Sequence, residues 1–168
     1  SITKETLDKE IHRLCDLFSQ GSVEEVLDQT IQLLKRFPDS PALHIIAGDA
    51  QTKLQQFDRA ITNYKKAIDL KPEFVASHFN LGVALQDKGD LEAALESYRK
   101  ALELNPSHLE AYFNMGSIQH EMGDLNAAID SYKKVLAIDP NYAKAYTNMG
   151  NALKDKGSLE ESIQYFNK

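Results

Sequence analysis

Residues 74–106, FVASHFNLGVALQDKGDLEAALESYRKALELNP, decide the fold of this 168-residue chain. The first half places His78, Leu81, Gly82 and Leu85 at i, i+3, i+4 and i+7, one face of an α-helix. Leu91, Ala94, Leu95 and Tyr98 repeat that spacing in the second half. Between them, Asp87-Lys88-Gly89-Asp90 reads as a tight turn. Gly89 suits the helix end because it enters the left-handed conformation without a Cβ clash, and Asp90 can cap the helix that follows. Neither helix can cover its own apolar face, so the stretch predicts a packed helix pair.

Working outward, the same stretch recurs at a step of 34 residues. Gly48, Gly82, Gly116 and Gly150 form one register, and Pro38, Pro72, Pro106 and Pro140 another. Tyr64, Tyr98, Tyr132 and Phe166 form a third, Ala60, Ala94, Ala128 and Ser162 a fourth. Gly21, Gly89, Gly123 and Gly157 complete the set, so that all eight glycines fall into two registers. A mid-helix glycine costs about 1 kcal/mol against alanine. Four of them predict a close approach of paired helices at Gly82 and Ala94, with the aromatic filling the space beside the crossing. Proline ends every second helix, since it neither donates to the ladder nor permits helix before it.

The spacing, the pairs Leu81-Gly82, Met115-Gly116 and Met149-Gly150, and the Ala, aromatic and Pro registers resemble the tetratricopeptide repeat (TPR) over essentially the whole chain. The fold this implies is all-α, an α-solenoid coiled as a right-handed superhelix of about five helix-turn-helix repeats. Residues 1–168 then form a single solenoid, with repeats at 7–40, 41–74, 75–108, 109–142 and 143–168. The first is degenerate, with Arg13 and Leu14 in place of the large-apolar and Gly pair. Its second helix is expected to open on a capping box of Ser22 and Glu25. The second repeat opens on Ser40 and Pro41 but carries Gln55-Gln56 in place of the turn glycine. The fifth stops at Lys168, inside its second helix, which suggests a fragment of a longer protein.

Composition narrows the function classes. A net charge of −6 opposes nucleic-acid binding and docking on an anionic membrane. One cysteine, Cys15, cannot close an internal disulfide, and without a fixed basic neighbour it is a poor nucleophile. No apolar run reaches membrane-spanning length and no signal-peptide pattern opens the chain, so the expected location is cytoplasmic. The histidines lack metal-ligand spacing: His44 and His78 share a register on the packing face and read as core-edge rings. Neither a cofactor nor a metal is expected, and nothing in the sequence points to an enzyme.

The functional expectation is a groove. Stacked helix pairs line a concave surface with the first helix of each pair, and the resemblance implies an extended peptide or a partner protein there. Helical phase brings Phe79 and Asn80, then Phe113, Asn114 and Ser117, then Asn148 and Asn151 onto the face opposite the packing face. Asn80, Asn114 and Asn148 each precede a register glycine by two residues, with Ile46 and His12 in the equivalent places upstream. An asparagine side chain both donates and accepts, so such a ladder can hold a peptide backbone without reading its sequence. It resembles the lining of TPR superhelices of protein O-glycosyltransferases. The basic clamps by which other TPR proteins grip a C-terminal carboxylate are missing; Phe79, Val83 and Glu110 stand where cations would help. The function expected is a protein-interaction scaffold. The alternatives are the substrate-recruiting arm of a larger glycosyltransferase or sulfotransferase, and end-to-end self-association through Ile163 and Phe166 in the last repeat.

Overall fold

The computed structural model describes the backbone of residues 4–166 and the side chains of residues 6–165. The side chain of Phe166, last of the aromatic register, lies outside the described residues. Ten α-helices and no strand occur among those described: α1 Lys4–Ser19, α2 Val23–Leu34, α3 Pro41–Lys53, α4 Phe57–Leu70, α5 Val75–Lys88, α6 Leu91–Leu104, α7 Leu109–Glu121, α8 Leu125–Ile138, α9 Ala143–Asp155 and α10 Leu159–Phe166. The chain divides into two compact units, Ser1–Asp90 and Leu91–Lys168. In the first, α1 packs on α2, α2 on α3, α3 on α4 and α4 on α5; in the second, each helix from α6 packs on its successor. First helices also meet their like: α1 with α3, α3 with α5, and α7 with α9.

Each register has a local cause. The helix turns are alike down to the hydrogen bond. Ser22 N–H donates to Leu17 O, Gln56 to Gln51, Asp90 to Leu85, Asp124 to Gln119 and Ser158 to Leu153, at 2.8–3.1 Å. This closure needs a left-handed residue one place earlier, and Gly21, Gly89, Gly123 and Gly157 supply it with φ of 82–91°. Gln55 fills the same place in the second repeat and takes φ 57° without being glycine. The turn geometry outweighs the residue's preference, at a cost of about 1 kcal/mol. Gln55→Gly should therefore raise stability by about 0.5–1 kcal/mol, measured by urea denaturation; a loss would mean that the glutamine side chain is needed at the turn. Every second helix does stop short of its register proline: α2 before Pro38, α4 before Pro72, α6 before Pro106 and α8 before Pro140.

The mid-helix glycines answer to a ring. A Cβ on Gly48 would meet Tyr64 Cε1 at 2.6 Å, and one on Gly116 would meet Tyr132 Cε1 at 2.7 Å. Tyr64 and Tyr132 are fully buried, as are Ala60 and Ala128 beside them in the register. The glycine gives up a side chain so that a tyrosine from the partner helix can cross its backbone.

The first repeat inverts this arrangement. Leu14 stands in the glycine register and Thr30 in the tyrosine register, and both are completely buried. The large side chain comes from the first helix and the small one from the second. Leu14 joins Val26, Leu27, Leu43, Ile46, Ala47 and Ala50 in the core of the first unit. The exchange carries a cost, since Thr30 Oγ1 is buried without a hydrogen-bond partner among the described residues.

Caps divide. Ser40 accepts from Leu43 N–H at 3.4 Å with Pro41 at the first helical position, as its sequence predicts. The capping box at Ser22 and Glu25 does not form. Ser22 has φ −78° and ψ 57° and makes no side-chain cap bond, and Glu25 accepts instead from Gln29 Nε2 at 2.7 Å. The turn bond from Ser22 N–H to Leu17 O takes the donor that Glu25 would accept from in a capping box.

The histidine register also acquires a reason. His44 and His78 donate from Nε2 to the carbonyls of Pro38 and Pro72, at 2.8 and 2.7 Å. Tyr146 in the same register donates to Pro140 O at 2.8 Å. Each ring ties its helix to the carbonyl of the proline that ends the previous one, and no group of three metal-ligating side chains exists among the described residues.

Candidate functional site

In the first unit, residues of α1, α3, α4 and α5 line a groove of about 710 Å³. Its walls include the half-buried rings of Phe18, Phe57 and Phe79, its floor Asp49, Tyr64 and Asn80, and its rim Lys53 and Asp87. Phe79 and Asn80, which helical phase puts on the face opposite the packing face, therefore share one cavity.

The floor is a polar network. Asp49 Oδ1 accepts from Tyr64 OH at 2.7 Å and from Asn80 Nδ2 at 2.8 Å. A carboxylate only accepts, so the Asn80 amide must present its nitrogen to Asp49 and turn its carbonyl oxygen away. Burial pushes the Asp49 carboxyl above the ordinary carboxylate range, and the hydrogen bonds from Tyr64 and Asn80 only partly offset it. Tyr64 is pushed strongly upward by burial and by the Asp49 charge, so it stays a phenol that donates. Its hydroxyl also lies 3.3 Å from Thr52 Oγ1. The folded chain holds the Asp49 proton more tightly than the unfolded one. That contribution to stability is present at low pH and is lost as pH rises through the raised value. Ionising Asp49 is thus a local burden on the fold.

The second unit repeats the design with neutral parts. Asn114 Nδ2 donates to Tyr98 OH at 3.1 Å, and Asn148 Nδ2 to Tyr132 OH at 3.4 Å. Tyr132 OH donates in turn to Ser117 Oγ at 3.5 Å, and Ser117 to Phe113 O at 3.1 Å. Each ladder asparagine is thus bound through its nitrogen to the tyrosine network of the repeat before it. The carbonyl oxygens of Asn80, Asn114 and Asn148 accept no hydrogen bond among the described residues.

Of the other residues expected on this face, Phe113 is half-buried. Its ring meets Tyr132 at 6.0 Å and the edge of Tyr142 at 5.4 Å, so it packs as well as lines. Asn151 is exposed. His120, on the same face, lies 2.8 Å from Asp155 Oδ2 across α7 and α9. On the last helix, Leu159 and Ile163 are each 60% exposed. Cys15 has its thiol pushed upward by burial first and by Asp16 and Asp49 next, away from the thiolate a nucleophile needs.

Sequence reasoning missed Asp49. It stands one place after Gly48, in the register of Val83, Ser117 and Asn151. Carrying that register back one repeat would have found it.

A profile of the TPR repeat matches residues 48–89, 84–123 and 116–157. A crystal structure of MamA superposes with a TM-score of 0.86 at 25% identity, covering 90% of this chain and 89% of that one. MamA of Desulfovibrio magneticus RS-1 gives 0.88 at 20% identity over 99% and 94%. YrrB, described as a TPR protein with an unusual peptide-binding site, gives 0.78 at 24% identity over 94% and 81%. At these last two identities the likeness carries the fold alone. In sequence, the chain is 37% identical over 71 residues to a protein O-mannosyl-transferase of Caenorhabditis elegans, covering 42% of this chain and 10% of that relative's length. No described helix is long and apolar enough to cross a membrane.

Proposed function

The chain belongs to the TPR family, and on that premise we propose that it is a protein-interaction module that holds an extended peptide against the first helices of its repeats. The observation that carries this reading is the state of the ladder asparagines. Their nitrogens are committed to the framework by bonds of 2.8–3.4 Å, which leaves their carbonyl oxygens as acceptors without a hydrogen bond among the described residues. An extended peptide offers backbone N–H donors for acceptors of this kind. Phe79 in the first unit, and Phe113, Ser117 and Asn151 in the second, accompany these asparagines on their own helices and contribute shape and further hydrogen bonds.

A degenerate pool of acetylated, amidated octapeptides passed over the immobilised protein tests the reading. The triple variant Asn80→Ala, Asn114→Ala, Asn148→Ala should lose most of the retained peptide. It should also unfold about 1 kcal/mol more easily per site, because a tyrosine or Asp49 loses a donor. A double variant, Tyr98→Phe with Tyr132→Phe, loses two of the same framework bonds yet keeps the asparagine oxygens, now free to turn, and should retain more peptide than the triple variant and less than the natural protein. Retention unaffected in the triple variant would remove the ladder from the site.

A second reading has one specific support. The relative matched in sequence is a protein O-mannosyl-transferase of which these repeats correspond to a tenth. A role as the substrate-recruiting arm of a larger glycosyltransferase uses the same groove. The exposed Leu159 and Ile163 support self-association through the last helix as a third.

A further inference from the structure

We propose that the groove of the first unit selects a lysine or arginine side chain of the bound peptide, with Asp49 Oδ2 as its acceptor and the rings of Phe18, Phe57 and Phe79 sharing the apolar surface for its stem and for the apolar residue beside it. The proposal rests on the peptide-binding reading above and names what that site prefers.

The framework has no need of a carboxylate at this position. In the second unit the equivalent residue is Ser117, and its neutral hydroxyl suffices to receive the register tyrosine at 3.5 Å. Asp49 uses a single oxygen for both Tyr64 and Asn80, at 2.7 and 2.8 Å. Oδ2 receives no hydrogen bond among the described residues. The charge therefore exceeds what the fold requires, is held in fixed orientation by two donors, and lies in a cavity of about 710 Å³. A charged donor is the complement of such a group.

The surroundings suit the long stem of a basic side chain. Lysine and arginine lay their methylenes along apolar surface while the head stays polar, and aromatic faces attract the cation itself. Three phenylalanines supply that surface here. Asp87 at the rim adds a second negative charge. Lys53, the opposing charge, is exposed and forms no ion pair with Asp49 among the described residues, so the carboxylate is not already neutralised from within.

The octapeptide pool decides this when the retained peptides are sequenced. From the natural protein, lysine or arginine should be enriched about tenfold at one position next to an apolar residue, the yield of one charge-assisted hydrogen bond. Asp49→Asn keeps an oxygen to accept from Tyr64 and Asn80 and removes the charge. It should return the basic residues to their input frequency, leave the apolar preference in place, and melt no lower than the natural protein. Basic enrichment that persists in Asp49→Asn overturns the proposal. Apolar enrichment alone, equal in both proteins, overturns it while leaving the peptide-binding reading standing. Retention of no peptide by either protein overturns both.

Discussion

Gly48→Leu should lower the stability of the first unit by about 3 kcal/mol. The first added atom is already impossible: a Cβ would stand 2.6 Å from Tyr64 Cε1, 2.8 Å from Cζ and 2.9 Å from Cδ1. The ring is 1% exposed and its hydroxyl is held by Asp49 at 2.7 Å, so it has no second place to go. Removing a helical glycine returns about 1 kcal/mol of backbone entropy, which overpacking by a whole leucine exceeds. Urea denaturation followed by helical circular dichroism measures the loss; an unchanged midpoint would show that the tyrosine can leave its place. Gly89→Ala is the matching control. Nothing lies within 4 Å of a Cβ there, and the strain comes from φ of 91° alone. Its cost should be near 1 kcal/mol.

Tyr132→Ala should cost about 3–5 kcal/mol, the largest effect expected in the second unit. The ring is fully buried over Gly116, which has no side chain to fill the cavity that opens. Phe113 loses one of its ring contacts, and Asn148 and Ser117 lose their common hydroxyl. Tyr132→Phe separates the two contributions. It keeps the volume and deletes the hydroxyl, for about 1 kcal/mol. The difference between the two variants in denaturant midpoint is the worth of the ring. A Tyr132→Ala protein as stable as Tyr132→Phe would mean that the register aromatic does not carry the packing assigned to it.

Periodicity made the helices and their repeats legible because each register answers to a constraint that only one or two residue types satisfy. A left-handed turn asks for glycine, a crossing ring asks for no side chain, a helix stop accepts proline. What escaped was compensation. Leu14 and Thr30 look like losses when each is compared with its own register, and make sense only as a pair whose volumes exchange. Gln55 looks like a missing turn, yet the bond from Gln56 N–H to Gln51 O closes the turn around a residue that disfavours it. The Ser22 capping box lost its Glu25 half because Ser22 N–H already serves the turn bond to Leu17 O. At the candidate site, phase alone brought Phe79 and Asn80 to the groove. It could not show which end of an asparagine amide is already engaged, since that depends on Asp49 and Tyr64 from other helices.

The exchange between Leu14 and Thr30 bears on how such a chain avoids tangling while it folds. Arrays of near-identical helices are prone to pairing with the wrong neighbour. Helices α3 and α7 each carry a glycine that demands a tyrosine opposite, and either could in principle accept the tyrosine helix of another repeat. Helix α1 cannot. Leu14 set against a tyrosine would be crowded out, and Thr30 set against a glycine would leave a hole. The mismatch disfavours pairing of α1 or α2 with the helices of other repeats, which gives the array one place from which to be counted.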